Sequence, residues 1–314
     1  MMGSSETNDA LVDFVGMVRG TGYHFTTVTP ATHARINARP GNAGARNLRD
    51  VLGWSRPFRE DVVPPELFAA MRRAGIVERD GSGWRPTIRL SSLDGELLVH
   101  SAYPPTATDA VFFGPDTIRF VGAVIGHIER RTNPVRRAVD IGCGSGAAGI
   151  AIAKRVPGAE VVLVDINEAA LATARLNARL AGVSNLIARA SNLLDAMEGS
   201  FDLIVSNPPF MLDAGERTYR HGGGTLGAGL SLAVVEAAAE RLAPGGSLVL
   251  FTGAAIVEGD DPFREAAMAA CRKAGLDASY REFDPDAYGE ELDDPAYAQA
   301  ERLALVVLTA TRPL

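Results

Sequence analysis

The sequence is short of several things at once. Only two of its 314 residues are cysteine, Cys143 and Cys271. They could form one bridge at most, so a disulfide-stapled scaffold is excluded and a reduced, cytoplasmic setting is expected. Lysine is nearly absent: Lys154 and Lys273 are the only two, and arginine supplies the remaining positive charge. No apolar stretch approaches the roughly 18 residues that span a bilayer. The longest, Leu303–Ala310, reads as a buried strand, and no membrane partner is expected. The five histidines and two cysteines show no metal-ligand spacing, so no metal is expected. Residues 1–8 have no basic end and no apolar run behind them, and read as a disordered tail rather than a secretory signal.

What is present is an ordinary globular composition, 46% hydrophobic and 22% charged, which excludes a disordered chain and a coiled coil. The net charge of −7 argues mildly against tight non-specific nucleic-acid binding. The excess of acid lies in the C-terminal part. Arg35, Arg39, Arg46, Arg49, Arg56 and Arg59 gather near the N-terminus and could make a local basic face.

From residue 138 the chain alternates regularly. Strands are predicted at Ala138–Ile141, Val161–Val164, Leu186–Ala190, Phe201–Ser206 and Ser247–Phe251. Helices are predicted at Ala147–Arg155, Glu168–Ala181, Leu230–Leu242 and Pro262–Ala274. Such βαβ units give a mostly parallel sheet covered on both faces. Ala278–Phe283 and Leu303–Thr309 would add an antiparallel pair, making seven strands. The acidic stretch Asp284–Ala300, with Tyr288 and Tyr297, would be an insertion between them. The first 100 residues lack this beat. Helices are predicted at Ala10–Val18 and Pro65–Ala74, and His33–Arg59 has weak periodicity. A short strand after the second helix, an Asp80-Gly81 turn and further strand at Trp84–Leu90 and Leu97–His100 resemble a small winged-helix unit. The expected division is an N-terminal α+β recognition domain, 1–105, and a Rossmann-like α/β domain, 106–314.

The strongest local signal is Asp140-Ile141-Gly142-Cys143-Gly144-Ser145-Gly146, between a strand and a helix. The glycines let backbone approach a ligand, and the helix N-terminus offers free N–H groups. The next strand ends at Asp165, where a carboxylate can accept from two ribose hydroxyls. Gly144–Gly149 also fits the dinucleotide pattern G-x-G-x-x-G. Asp140, however, sits where a carboxylate can bind an ammonium group, which S-adenosylmethionine carries and a nicotinamide cofactor does not. Cys143 reads as a small packing residue, and Met197 and Met211 as core or lid residues.

Asp-x-Gly-x-Gly-x-Gly, Asp165 and Asn207-Pro208-Pro209-Phe210 at the end of the fourth strand of the alternation together resemble a class I S-adenosylmethionine-dependent methyltransferase. The likeness is to the amino-methylating branch that includes the release-factor glutamine methyltransferases and the methyltransferase small domain rRNA enzymes. Val111–Thr117 resembles the segment that folds over the cofactor in the glutamine enzymes. Asn192-Leu193 stands where the family has Asp-Leu against the adenine amino group. The resemblance implies cofactor contacts from Phe113, Thr117, Asp140, Gly142, Cys143, Gly144, Gly146, Asp165, Ile166, Asn192, Leu193 and Asn207.

Methyl transfer from a sulfonium is an in-line displacement, and the difficulty lies in aiming the delocalised lone pair of a planar nitrogen. The Asn207 side-chain oxygen and the Pro208 carbonyl can each accept one N–H of a target –NH₂. Pro209 stiffens the corner, and Phe210 offers a stacking face. The expected acceptor is a protein glutamine or a nucleobase, with a small molecule as the alternative. His221, beside Gly222-Gly223-Gly224, is either a catalytic base or a structural loop residue. A nicotinamide-dependent oxidoreductase would explain the glycine turn but not the corner, and a non-catalytic docking domain would need neither.

Overall fold

The structure is a computed structural model that describes residues 5–212 and 219–314. The first four residues of the expected tail lie outside the described residues. The rest of that tail is not disordered: it opens α1, Ser5–Gly20. Leu11, Phe14, Val15 and Val18 are buried at helical spacing along α1. The weakly periodic stretch holds two short helices, each started by a side-chain cap. Thr29 Oγ1 accepts from the Thr32 N–H ahead of α2, Pro30–Asn37, and Asn47 Oδ1 accepts from the Asp50 N–H ahead of α3, Leu48–Leu52. α4, Pro65–Arg73, packs on α1 through Leu67, Phe68 and Met71.

Two hairpins follow: β1, Val77–Asp80, with β2, Gly83–Pro86, and β3, Ile88–Leu93, with β4, Glu96–Ser101. The strand predicted over Trp84–Leu90 is therefore two strands in two sheets. Pro86, which has no N–H to give, ends the first ladder. The basic face is also smaller than expected. Arg56 is buried on Asp50 at 2.8 Å, Arg46 reaches the same carboxylate at 3.4 Å, and Arg59 pairs with Asp61.

α5, Pro115–Arg130, has no counterpart in the sequence reading. Gly122, Gly126 and several β-branched residues give it weak helix propensity. Burial of Phe120, Val121 and Val124 against the sheet stabilises it instead. The alternating part then runs β5, Arg137–Ile141; α6, Ala147–Arg155; β6, Glu160–Asp165; α7, Glu168–Leu180; β7, Leu186–Ala190; β8, Phe201–Ser206; α8, Gly229–Arg241; β9, Leu242–Ile256; α9, Pro262–Lys273; β10, Asp277–Asp284; and β11, Arg302–Thr311. These strands form one seven-stranded sheet in the order β10-β11-β9-β8-β5-β6-β7. β11 runs antiparallel to both β9 and β10, and the other neighbours are parallel. β9 is longer than predicted because it pairs with β11 from Ser247 to Ile256.

Alternate residues of β5 face opposite layers. Val139 and Ile141 join the core under α8 and α9, while Ala138 joins the core under α5 and α6. Cys271 and Met197 are core residues of the first layer.

The N-terminal part is tied to the sheet through α7. Asn177, wholly buried, accepts from the Val99 N–H at 2.8 Å and donates to the carbonyls of Val99 and Ser145, both at 2.9 Å. At the rim of this contact, Glu96 meets Arg19 and Lys154, and Asp94 meets Arg155 at 2.7 Å. Asn177→Leu would leave three backbone groups of β4 and the glycine turn buried without partners. We expect it to cost roughly 3 kcal/mol or more, read as a shift in the urea unfolding midpoint.

Candidate active site

β8, β5 and β6 are neighbours: from β5 the chain runs outward through β6 to β7, then crosses back to β8 on the other side of β5. That switch point is where an open parallel sheet splays its strand ends apart and leaves a crevice. A cavity of about 710 Å³ opens there. The glycine turn after β5, Asp165 at the end of β6, Asn192 and Leu193 after β7, and the corner 207–210 after β8 all line it.

The turn is folded by its glycines: Gly142, Gly144 and Gly146 have φ of +67°, +52° and +79°. The Gly142 and Cys143 N–H groups donate to the Val164 carbonyl at 2.9 and 3.1 Å, which locks the turn to β6. Asp165 accepts from the Gly144 N–H at 3.0 Å and from the Asn167 N–H at 2.9 Å. Its remaining lone pairs are available to a ligand. Asp140 is almost wholly buried and accepts from the Gly149 N–H at 3.0 Å. Burial lifts its carboxyl to about 7, and the neighbouring Asp165 adds to the rise. Beyond the Gly149 N–H, which favours the anion, a cation beside such a buried carboxyl would stabilise it further. Burial, with Asp140 and Asp165 nearby, likewise pushes the Cys143 thiol well above its usual range, so it is not a thiolate nucleophile.

The second corner is built as tightly. Ser206 Oγ donates to the Ile141 carbonyl at 2.8 Å, joining the ends of β8 and β5. The Asn207 Oδ1 atom is buried and has no hydrogen-bond partner among the described residues. Phe210 lies on the bare backbone of β9: a Cβ at Gly253 would fall 2.4 Å from its ring. The glycine run after His221 is pinned to this corner. A Cβ at Gly222 would lie 2.7 Å from the Phe210 Cα, and one at Gly227 would lie 2.2 Å from the Phe210 carbonyl oxygen. His221 bridges to Met211 through backbone and is not among the residues that line the cavity.

Of the residues expected at the cofactor, Thr117, Asp140, Gly142, Cys143, Gly144, Asp165, Ile166, Asn192, Leu193 and Asn207 line this one cavity. Phe113 and Gly146 do not. Phe113 stacks on His100 in the core, with ring centroids 5.0 Å apart, and its neighbour Phe112 faces the cavity instead. Gly146 packs under α7, where a Cβ would meet Ala174 at 3.0 Å.

The sequence reading placed Phe112 and Asp116 in the segment expected over the cofactor and Tyr288 in the acidic insertion, but it missed the contacts they make at the cavity wall and the parts of Tyr219, Arg220 and Glu291 there. Phe112 stacks with Tyr219 (6.0 Å, 12°), and the Tyr219 hydroxyl donates to the Pro105 carbonyl at 3.1 Å. Arg220 pairs with Glu291, and Tyr288 donates to Asp116. Tyr219, Arg220 and Glu291 carry no signal in the sequence beyond an aromatic or charged residue in a segment without periodicity.

The methyltransferase small domain family matches residues 123–257. The release factor glutamine methyltransferase of Deinococcus radiodurans is 34% identical over 215 residues, which are 65% of this chain and 72% of that protein. The enzyme of the same name from Bordetella pertussis is 34% identical over 246 residues, 74% of this chain and 86% of that one. Among solved structures, Trm5b from Pyrococcus abyssi superposes with a TM-score of 0.50 at 17% identity, over 76% of this chain and 62% of that one. This last likeness speaks for the fold alone.

The seating of Phe210 on β9 is directly testable. Gly253→Ala should cost about 1–3 kcal/mol of stability by overpacking. Combined with Phe210→Ala, the loss should fall well short of the sum of the two single changes, because both act on one contact. Additive losses would show that the ring does not rest on Gly253.

Proposed function

The chain belongs to the class I S-adenosylmethionine-dependent methyltransferases with an Asn-Pro-Pro-Phe or Asn-Pro-Pro-Tyr corner, the family of the release-factor glutamine methyltransferases; on that premise we propose that it methylates a planar amide or amino nitrogen of a translation-related macromolecule. The observation that carries this reading is the orphaned Asn207 Oδ1, buried in the wall of the cavity that the glycine turn also lines. A buried acceptor without a donor costs about 1–3 kcal/mol, which the N–H of an incoming target would offset.

Asp140, the glycine turn, Asp165, Ile166 and Asn192-Leu193 would hold S-adenosylmethionine, which supplies a methyl group already activated on a sulfonium. Asp140 would take the amino group and Asp165 the ribose hydroxyls. A volume of about 710 Å³ is in the range of sites that enclose a whole ligand. Asn207 Oδ1 and the Pro208 carbonyl hold the two N–H bonds of the target and so fix the direction of its lone pair. Pro209 keeps that corner rigid, and Phe210 keeps the target's plane against its open face. Catalysis is by positioning.

Residues 1–105 carry recognition of the macromolecule, a role supported by Pro30, Ala31 and Tyr103 on the cavity wall. A glutamine carboxamide of a release factor is the first acceptor to test, and a nucleobase amino group is the second. Labelled methyl transfer into recombinant release factor and into ribosomal RNA, compared side by side, tests the reading.

Asn207→Ala removes one of the two acceptors. A transition-state contact worth about 2–4 kcal/mol would lower kcat by roughly 30- to 1000-fold, with S-adenosylhomocysteine binding little changed. An unchanged kcat on an accepted substrate would refute the assignment.

The pH dependence follows from Asp140. Its carboxyl titrates near 7 in the free protein, but pairing with an ammonium requires the ionised form. Protonation therefore competes with binding below about pH 7. The dissociation constant for S-adenosylhomocysteine should rise roughly fivefold from pH 7 to pH 6, and Asp140→Asn should flatten that dependence. Calorimetry at the two pH values reads both.

A further inference from the structure

Asn207 is not the only orphaned acceptor in this cavity. Asp116 also lines it, is 6% exposed, and has an Oδ1 atom with no hydrogen-bond partner among the described residues. Arg119 stands off that oxygen at 3.7 Å, beyond hydrogen-bond distance, and gives its closer contact, 3.1 Å, to Asp284. The other carboxylate oxygen of Asp116 accepts from the Tyr288 hydroxyl. Tyr288 also lines the cavity, and its ring centroid is 6.1 Å from that of Phe210, tilted by 57°. The two rings touch at an angle, so they form a corner rather than a slot. One face of Phe210 rests on β9, Tyr288 closes one edge, and a planar group can lie only on the remaining face. Tyr288 sits at φ +60°, a conformation that a bulky side chain seldom adopts and that collects at functional sites.

We propose that Asp116 and Tyr288 complete the acceptor subsite from outside the Asn-Pro-Pro-Phe corner: Tyr288 bounds the plane in which the target lies, and Asp116 Oδ1 takes a backbone N–H of the polypeptide that carries the target. The proposal rests on the N-methyltransferase reading and adds to it two residues and the donor they select. The donor class follows from charge. The wall on this side presents Asp116, Glu290 and Glu291, with Arg220 held by Glu291. Such a wall repels phosphates and accepts neutral amide donors, for which a carboxylate oxygen is a charge-assisted partner. Asp284 and Arg119, the other charges near Asp116, pair with each other.

The test uses the full-length enzyme, recombinant release factor as acceptor, ribosomal RNA as the competing acceptor, and S-adenosylhomocysteine as the cofactor probe. Asp116→Asn keeps the shape but converts one oxygen to a donor. It should raise the release-factor KM roughly tenfold or more, while the S-adenosylhomocysteine dissociation constant stays within about twofold. Tyr288→Ala should raise KM similarly, and Tyr288→Phe less, since the ring remains. A role confined to folding would instead lower cofactor affinity, kcat and melting temperature together. Unchanged KM values overturn the proposal, as does cofactor affinity that falls in step with KM, which would assign Asp116 to the cofactor. Methyl label that enters only ribosomal RNA, or neither acceptor, overturns the polypeptide donor while cofactor binding leaves the methyltransferase reading standing. A wild-type protein that does not bind S-adenosylhomocysteine would fail that reading itself.

Discussion

The Asn177 carboxamide satisfies three buried backbone groups at once, and much of the molecule is arranged around it. It reproduces, from a helix, the pair of hydrogen bonds that a neighbouring strand would give Val99, and its second N–H fixes the Ser145 carbonyl in the glycine turn. The N-terminal hairpin, α7 and the ligand-facing turn are thereby held to one geometry. A buried amide is costly unless every partner is present, so the contact specifies a single docking. Packing for this reason runs across the division expected near residue 105. Tyr103, Pro104 and Pro105 on one side of it, and Val111 and Phe112 on the other, wall the same cavity.

The site combines two kinds of constraint. Backbone meets backbone at Gly222 and Gly227, and the Phe210 ring lies on bare backbone at Gly253; hydrogen bonds lock the glycine turn to β6, so the ends of β5, β6 and β8 line one cavity. Carboxylates are then buried, Asp116 with only Arg119 at 3.7 Å as a nearby cation among the described residues. Burial raises Asp140 to about 7 and Asp116 to about 6. Holding such groups ready is unfavourable in the free protein and becomes favourable when a donor or cation arrives. The orphaned Asn207 oxygen follows the same logic with a neutral acceptor.

The alternating half was legible because each strand and helix carries its own periodicity and its own stop. α6, β7 and β8 span the residues that periodicity and the flanking Gly and Pro mark. The glycine turn, Asp165 and the 207–210 corner were legible because each is contiguous in the chain, and the fold then supplies their proximity. α5 was not, since its propensity is weak and only its contact with the sheet favours it. The pair Phe112 and Phe113 shows another limit. Successive side chains of an extended segment point to opposite sides, and nothing local says which side will be core.

The sequence by itself determined the parallel sheet, the glycine turn and the Asn-Pro-Pro-Phe corner as motifs, because each rests on short-range pattern. Only the tertiary structure decided what surrounds them. Tyr288 and Asp116 are 172 residues apart and meet over the cavity through a side-chain hydrogen bond. Asn177 serves a strand 78 residues away. Contacts of that range depend on how the insertion between β10 and β11 and the N-terminal hairpins fold back onto the sheet, and no local periodicity encodes the packing that brings them there.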